Sequence, residues 1–594
     1  MRTFTNPPAT SASPGGNLAN DLVRRATDHP QSVCLSRLAD DGWHDISAAQ
    51  VRAEVVALAR GLLAAGIAAG DRVLLCSSTR YEWTLVDYAC WEVGAVVVPV
   101  YATSPSVHLH SVLLDSGAVA AVVETDELRT ALTRQAPAAV ALLGVWTIET
   151  GGLDDLASLG VDIDDARLDK RRSYVRSEDP ATLVYTSGAT AKPRGCVLTH
   201  GNFSAALDAV TSCMPELFEA DDAATLVVLP MPHVLARLVQ VGCVRAGIRL
   251  GHSSRTVHLA DDLQSFQPSF VLGLPRIFES LVNVAGQRAH ARGRGALFTR
   301  AADTAIAYSR ARSAGRVAPL LRARHAAWER RVYRHLRRRI GSRTRWLITG
   351  GAPLAERSAH LFAGIGLPVL EGYGSSESTG ALCVNTPDDI RIGTVGQPLP
   401  GTTVRVSDEG ELLFRGPQIF SGYWRGENSP LDAPVDGWLH TGDLGEIDAE
   451  GFVQVTGRTQ EILVTAGGKR VAPSTLEEHL TAHPLVDHAM VVGDGRPYLA
   501  ALITLDPLAA RQWATTRGSG TSPRSLAADP DLLADIRSAV DSANEQVSPA
   551  EAIRHFRVLP TAWSEDSGHL TPTAKIRRGA VLRDFRDDVE ALYN

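Results

Sequence analysis

Between Leu18 and about Val123, apolar residues at helical spacing alternate with short unbroken apolar runs. Residues 48–63 carry the helical spacing, and 71–76 follow as a buried strand. A second helix is predicted over 81–92, leading into a strand over 95–100. Such alternation predicts parallel sheets covered by helices. The β-leaning run 181–185 predicts another strand, and 438–456 read as short strands linked by turns. Beyond Gly457 and Arg458 the pattern changes to a smaller unit with the order strand, helix, strand, strand, helix. Residues 515–530, rich in Gly, Ser, Pro and Asp, read as an exposed loop inside it. The opening 1–17 is rich in Pro, Ser, Thr and Gly and reads as a flexible leader. The expected fold is therefore α/β. A large domain over 18–457 holds parallel-rich sheets, helices and a β-rich subdomain, and a small mobile α+β domain follows over 458–594.

A chain of 594 residues exceeds one compact core, in line with two domains. Composition is that of a soluble globular protein, 44% apolar and 21% charged. A net charge of −7 is mild and argues against nucleic acid as the main partner. The seven cysteines are scattered without a CxxC pair, which fits reduced thiols in the cytoplasm better than a zinc site or a disulfide framework. The longest apolar run, near 93–100, is far too short to span a membrane. Residues 276–345 form a strongly basic helical stretch in which arginines outnumber acids several-fold. Two readings stand for it: a weak contact with an anionic surface or cofactor, or helices that simply face water.

The densest chemistry lies in Tyr185-Thr-Ser-Gly-Ala-Thr-Ala-Lys-Pro-Arg-Gly195. A strand entering a Gly/Ser/Thr loop turns backbone N–H groups and hydroxyls toward one point, which suits a phosphate chain. Lys192 and Arg194 supply positive charge there. The loop lacks the Gly-Lys-Ser/Thr ending of the Walker pattern.

This loop resembles the phosphate loop of the adenylate-forming superfamily, and further matches follow in that family's order. They are Leu229-Pro-Met-Pro-His233, similar to the family's acid-pocket motif and continued by Val234-Leu-Ala-Arg237, then Pro268-Ser-Phe-Val-Leu-Gly-Leu-Pro-Arg276, Thr349-Gly-Gly-Ala-Pro353, Glu371-Gly-Tyr-Gly-Ser-Ser-Glu377, Thr441-Gly-Asp443 with Gly457-Arg458, 465–473, and Leu570-Thr-Pro-Thr-Ala-Lys575. The pattern is most similar to bacterial long-chain fatty acyl-CoA synthetases. The resemblance implies ATP, Mg²⁺ and CoA as reactants and cofactors. Thr186, Ser187, Gly188, Thr190 and Lys192 would cradle the phosphates, and Glu377 would hold Mg²⁺ as a hard oxygen ligand. Gly351, Ala352, Glu371, Gly372, Tyr373 and Ser376 would line the adenine site, with Asp443 and Arg458 at the ribose. His233 would touch the acid, or would be an ordinary half-buried histidine. Gly467 and Gly468 would line the CoA channel, or would merely turn the chain. Gln460 falls at the hinge, and Lys575 would be the adenylation lysine, catalytic together with Glu377 and Thr186.

Three loop positions depart from the family form: Ala189 for Thr, Ala191 for Gly, and Arg194 for Lys. Gln460 replaces the usual Asp or Lys of the hinge. The leading expectation is an AMP-forming acyl-CoA synthetase acting on a fatty acid. The alternative is an ATP-dependent diazotase of secondary metabolism, which would activate nitrite and pass it to an aminobenzoate-like arylamine. A nucleotide-binding pseudoenzyme is a third reading.

Overall fold

The computed structural model describes residues 2–8, 16–134, 142–186, 194–255, 258–426, 433–549, 551–571 and 574–593. The phosphate-loop positions Ser187, Gly188, Ala189, Thr190, Ala191 and Lys192 lie outside the described residues.

The predicted elements form where the pattern places them. Ser47 caps the helix Ala48–Ala64, accepting from Gln50 N–H in a capping box. Val51, Val55, Leu58 and Leu62 of that helix are buried at the spacing of one face. The strand Arg72–Ser77 is buried throughout, as expected of a strand with parallel neighbours on both sides. The helix Tyr81–Glu92 matches its sequence-based span, and the strand Pro180–Thr186 contains the expected 181–185.

Two large sheets organise the first part of the chain. The seven-stranded one runs in the order 422–423, 194–199, 180–186, 96–101, 72–77, 120–123, 145–147. The nine-stranded one runs 397–398, 383–384, 369–373, 346–349, 270–273, 224–227, 249–252, 33–39, 42–47. Their central pairings are parallel. A five-stranded antiparallel sheet completes the β-rich part, ending in the hairpin of Leu439–Ile447 with Val453–Arg458. Beyond it a three-stranded sheet, Val486–Val492, Leu499–Leu505 and Ile553–Val558, carries separate hydrophobic clusters on its two faces. No helix among the described residues is long and apolar enough to cross a membrane.

Two expectations are corrected. The leader is not loose at its start. Arg2–Thr5 pairs antiparallel with Thr403–Val406, and Phe4 packs where a side chain on Gly451 would sit. The loop at 515–530 contains the short helix Pro523–Ala527, begun by a Ser522 cap and a proline in its first turn.

A fully buried ion pair joins the two sheet systems. Arg237 Nη2 lies 2.8 Å from Asp87 Oδ1 and Nε 3.2 Å from Oδ2, and Gln240 Nε2 donates to Asp87 at 2.9 Å. Arg237, read from the sequence as a continuation of the acid-pocket motif, is thus engaged with the core. Asp87→Ala would leave a buried guanidinium without its anion and should cost about 3–5 kcal/mol of stability. Urea unfolding of the variant checks this; an unchanged midpoint would show the pair to be dispensable.

Candidate active site

The strand ends of the nine-stranded sheet form one wall. Thr349 ends its strand and Gly350 and Gly351 follow; Gly351 has φ +79°, a left-handed conformation that favours glycine. Beside it the strand Val369–Tyr373 delivers Glu371, Gly372 and Tyr373. A side chain at Gly374 would collide with the carbonyl oxygen of Gly380, 2.5 Å away, so the chain turns closely here toward Ser376 and Glu377. The Glu371 carboxyl accepts from Leu354 N–H at 3.2 Å, and burial pushes it up to about 8, with Glu478 adding to the rise. Glu371 is therefore largely uncharged at neutral pH. Ala352 is exposed on the loop between these strands.

Opposite lies the strand that feeds the phosphate loop. Thr186 pairs with Arg194 at the loop end of the hairpin, and Tyr185 donates to Asp115 at 2.6 Å. Thr186 and Glu377 both neighbour the Cys196 thiol. Tyr423 donates to Glu377 Oε1 at 2.7 Å, and the Arg194 guanidinium lies 3.6 Å from the centre of the Tyr423 ring. Arg194, one of the three departures, thus stacks on the residue that holds Glu377.

The antiparallel hairpin supplies the third wall. Asp443 pairs in register with Arg458, and its Oδ1 accepts from Arg458 Nε at 2.7 Å. Its Oδ2 accepts from the Tyr373 hydroxyl. Thr441 Oγ1 accepts from the Asp443 backbone N–H at 3.0 Å, which fixes the turn.

Lys575 comes from the far end of the chain. Its backbone N–H donates to Thr571 Oγ1 at 3.0 Å, and its carbonyl accepts from Thr571 N–H at 2.8 Å. Ala574, just before it, has φ +58°, a conformation costing a non-glycine residue about 1–2 kcal/mol. Surroundings poor in water, then Arg458, hold the Lys575 ammonium below the usual lysine range, while Asp443, Glu461 and Glu377 act against them. Burial pushes the His233 imidazole down to about 4, and Lys575 contributes. Lys575 therefore stands among His233, Glu377, Asp443 and Arg458. His233 caps the helix Val234–Ala246, its Nδ1 accepting from Leu235 N–H at 3.3 Å. That leaves Nε2 to carry the proton, close to Gly351.

Gly467, Gly468 and Gln460 stand apart from this group and are exposed. Gly468 has φ +77° in a turn closed by Thr465 and Lys469. Tyr423, Glu461 and Cys196 belong to the site and were not singled out in the sequence. Tyr423 is the strand partner of Cys196, a pairing across more than two hundred residues.

An apolar cavity of about 720 Å³, its open mouth included, ends at the glycines of the first wall. Leu207 and Val210 line it from one helix, Leu238 and Val239 from another, and Phe270 and Leu272 from a strand. Phe270 pairs with Trp346 at one end of that strand and Gly273 with Thr349 at the other. At about 3.3 Å per residue the cavity therefore runs roughly 10 Å along the sheet, away from the glycine rim.

The AMP-binding enzyme model matches residues 22–424, and the AMP-binding enzyme C-terminal domain model matches 460–594. The chain belongs to the AMP-binding enzyme family. Within that family it lies on the acid–CoA ligase branch: it is 43% identical to a long-chain-fatty-acid–CoA ligase of Mycobacterium bovis over 599 aligned positions, covering 100% of each chain. It is 27% identical to a long-chain-fatty-acid–CoA ligase of Xenopus laevis, over 97% of this chain and 83% of that one. Among solved structures, an anthranilate CoA ligase holding anthranoyl-AMP superposes with a TM-score of 0.72 at 18% identity, covering 97% and 98% of the two chains. A Mycobacterium tuberculosis fatty acyl CoA synthetase gives 0.61 at 20% identity, covering 96% and 99%. These likenesses bear on the fold. Nothing in the comparisons favours the diazotase alternative, and none supports the anionic-surface contact expected of 276–345.

Proposed function

We propose that this AMP-forming acid–CoA ligase activates long-chain fatty acids. The observation that carries the reading is the apolar cavity ending at the same glycine rim on which Lys575, His233, Asp443 and Glu377 converge. The cavity's lining suits an alkyl chain, and its rim suits a carboxylate.

In the proposed reaction the acid carboxylate attacks the α-phosphate of ATP and pyrophosphate leaves. His233, neutral and with its proton on Nε2, donates to the carboxylate without adding charge. Lys575 places its ammonium between the attacking oxygen and the α-phosphate, where negative charge builds up. Asp443 has two acceptor oxygens for the ribose hydroxyls, and Arg458 and Tyr373 hold that carboxylate in place. Thr186, with Ser187, Gly188, Thr190 and Lys192 of the adjoining loop, would bind the β- and γ-phosphates. Gly351, Ala352, Glu371, Gly372 and Ser376 would border the adenine.

Glu377 is the carboxylate proposed to hold Mg²⁺. Among the described residues no cluster of three or more His, Cys, Asp or Glu side chains could hold a metal. One carboxylate beside a phosphate site fits Mg²⁺, which takes one or two carboxylates and fills its shell with phosphate and water oxygens. The ion would supply charge neutralisation on the triphosphate. CoA would then take the acyl group along the turn at Gly467 and Gly468, after the unit beyond Gln460 reorients. All seven cysteines are unpaired, which supports a reducing compartment such as the cytoplasm.

Val239→Trp tests the cavity assignment. Excluding two methylenes from an apolar site forfeits about 1.6 kcal/mol at roughly 0.8 kcal/mol each, more than tenfold in kcat/KM. Palmitate and octanoate should both lose at least that much relative to acetate, which is too short to fill the cavity. Equal losses on all three acids would place the chain elsewhere.

A further inference from the structure

Arg276 is the second residue of the helix Pro275–Ala291, which follows the strand whose Phe270 and Leu272 line the cavity. Its guanidinium faces the unit that carries Lys575. Nη1 lies 2.7 Å from His488 Nε2, and Nη2 donates to the Asp487 carbonyl oxygen at 2.7 Å. The Asp487 carboxylate is 3.9 Å from Nη1 and 2.8 Å from His488 Nδ1. A guanidinium has donors only, so His488 Nε2 must present its lone pair and Nδ1 must carry the proton toward Asp487. The ring is almost wholly buried, with Trp563 at 5.9 Å, and His488 N–H donates to Thr504 Oγ1 at 3.1 Å. All of its hydrogen-bonding capacity is therefore spent in one orientation.

Among the described residues two other hydrogen bonds join the same surfaces: Thr103 Oγ1 to Glu565 at 3.0 Å, which is exposed, and Gln512 Nε2 to the Gln287 carbonyl oxygen at 3.2 Å. Neither carries a formal positive charge, and neither has a partner as deeply buried as His488. His488 and Asp487 sit on the strand Val486–Val492, whose Val491 N–H donates to Glu477, and Glu477 accepts from Arg578, three residues beyond Lys575. Two sets of hydrogen bonds, joined by that strand, thus link Arg276 to the segment that bears the lysine.

We infer that Arg276 and the Asp487–His488 pair form a docking clamp that positions Lys575 for adenylate formation. They are positioning residues, since none of them lies among the groups proposed to meet the substrate. The inference rests on the reading of this site as the place of adenylation. It has a consequence for the two half-reactions. Attack on the α-phosphate needs Lys575 where the clamp holds it. Transfer to CoA from an adenylate already made does not use Lys575, so it does not need the clamp.

The test compares wild type, Arg276→Ala and Arg276→Lys in palmitate-dependent ATP–pyrophosphate exchange and in CoA-dependent consumption of supplied palmitoyl adenylate. A hydrogen bond from a charged group is commonly worth a tenfold to hundredfold change in an equilibrium. Arg276→Ala should lower exchange kcat by about tenfold or more, with KM for ATP and CoA transfer each within about twofold of wild type. Arg276→Lys, which keeps the charge and one of the two contacts, should recover part of the loss. Absence of exchange in the wild type would refute the adenylation reading itself. Unchanged exchange in Arg276→Ala, or an equal fall in both half-reactions, would overturn the clamp alone.

Discussion

Lys575→Ala should lower the rate of adenylate formation by about 10²–10³-fold while ATP binding stays within several-fold of wild type. Removing one preorganised donor from a developing negative charge has that order of effect in other enzymes. The lysine stands among His233, Glu377, Asp443 and Arg458, whereas ribose and phosphate contacts would come from other segments. The sign of a pH effect follows from the same surroundings. Only the protonated ammonium can stabilise the transferring phosphate, and poor solvation and Arg458 hold its pKa below the usual lysine value. Adenylation kcat/KM, which reports the free enzyme, should therefore fall as pH rises, beginning below the ordinary lysine range of about 10.4. The limb should be missing in Lys575→Ala. Pyrophosphate exchange across a pH series measures both, and near-wild-type exchange in the variant would remove Lys575 from the mechanism.

Glu377→Gln should raise the Mg²⁺ concentration for half-maximal exchange by about ten- to a hundredfold, the loss typical when a group supporting a metal is removed. The amide keeps the shape and still accepts from the Tyr423 hydroxyl, but an amide is a much poorer ligand for a hard cation. Excess Mg²⁺ should recover much of the rate. A Mg²⁺ dependence identical to wild type would place the ion elsewhere.

What the sequence carried well was local. The helix Tyr81–Glu92 and the strand Pro180–Thr186 follow from unbroken apolar patterning, and both stand close to their expected bounds. The family motifs brought Thr186, Glu377, Asp443, Arg458, His233 and Lys575 forward, and the fold gathers them around one cleft. What it carried poorly depends on partners far along the chain. Arg2–Thr5 looks like a polar leader until Thr403–Val406 offers it an edge. Tyr423 gave no local signal, because it acts through Glu377 and Arg194; Arg276 stood out as the end of a family motif, but its partner lies on a strand two hundred residues away. Arg237 was legible as a motif residue but not as the partner of Asp87, a contact only the packed core defines.

Formation of palmitoyl-CoA with release of AMP and pyrophosphate, followed on the purified protein with ATP, Mg²⁺, CoA and palmitate, is the most direct measurement of the account. A parallel reaction replaces palmitate and CoA with nitrite and an aminobenzoate. Palmitoyl-CoA and AMP should form in equal amounts in the first reaction, with no ATP cleavage above background in the second. Diazotised product in the second, with no thioester in the first, would contradict this expectation.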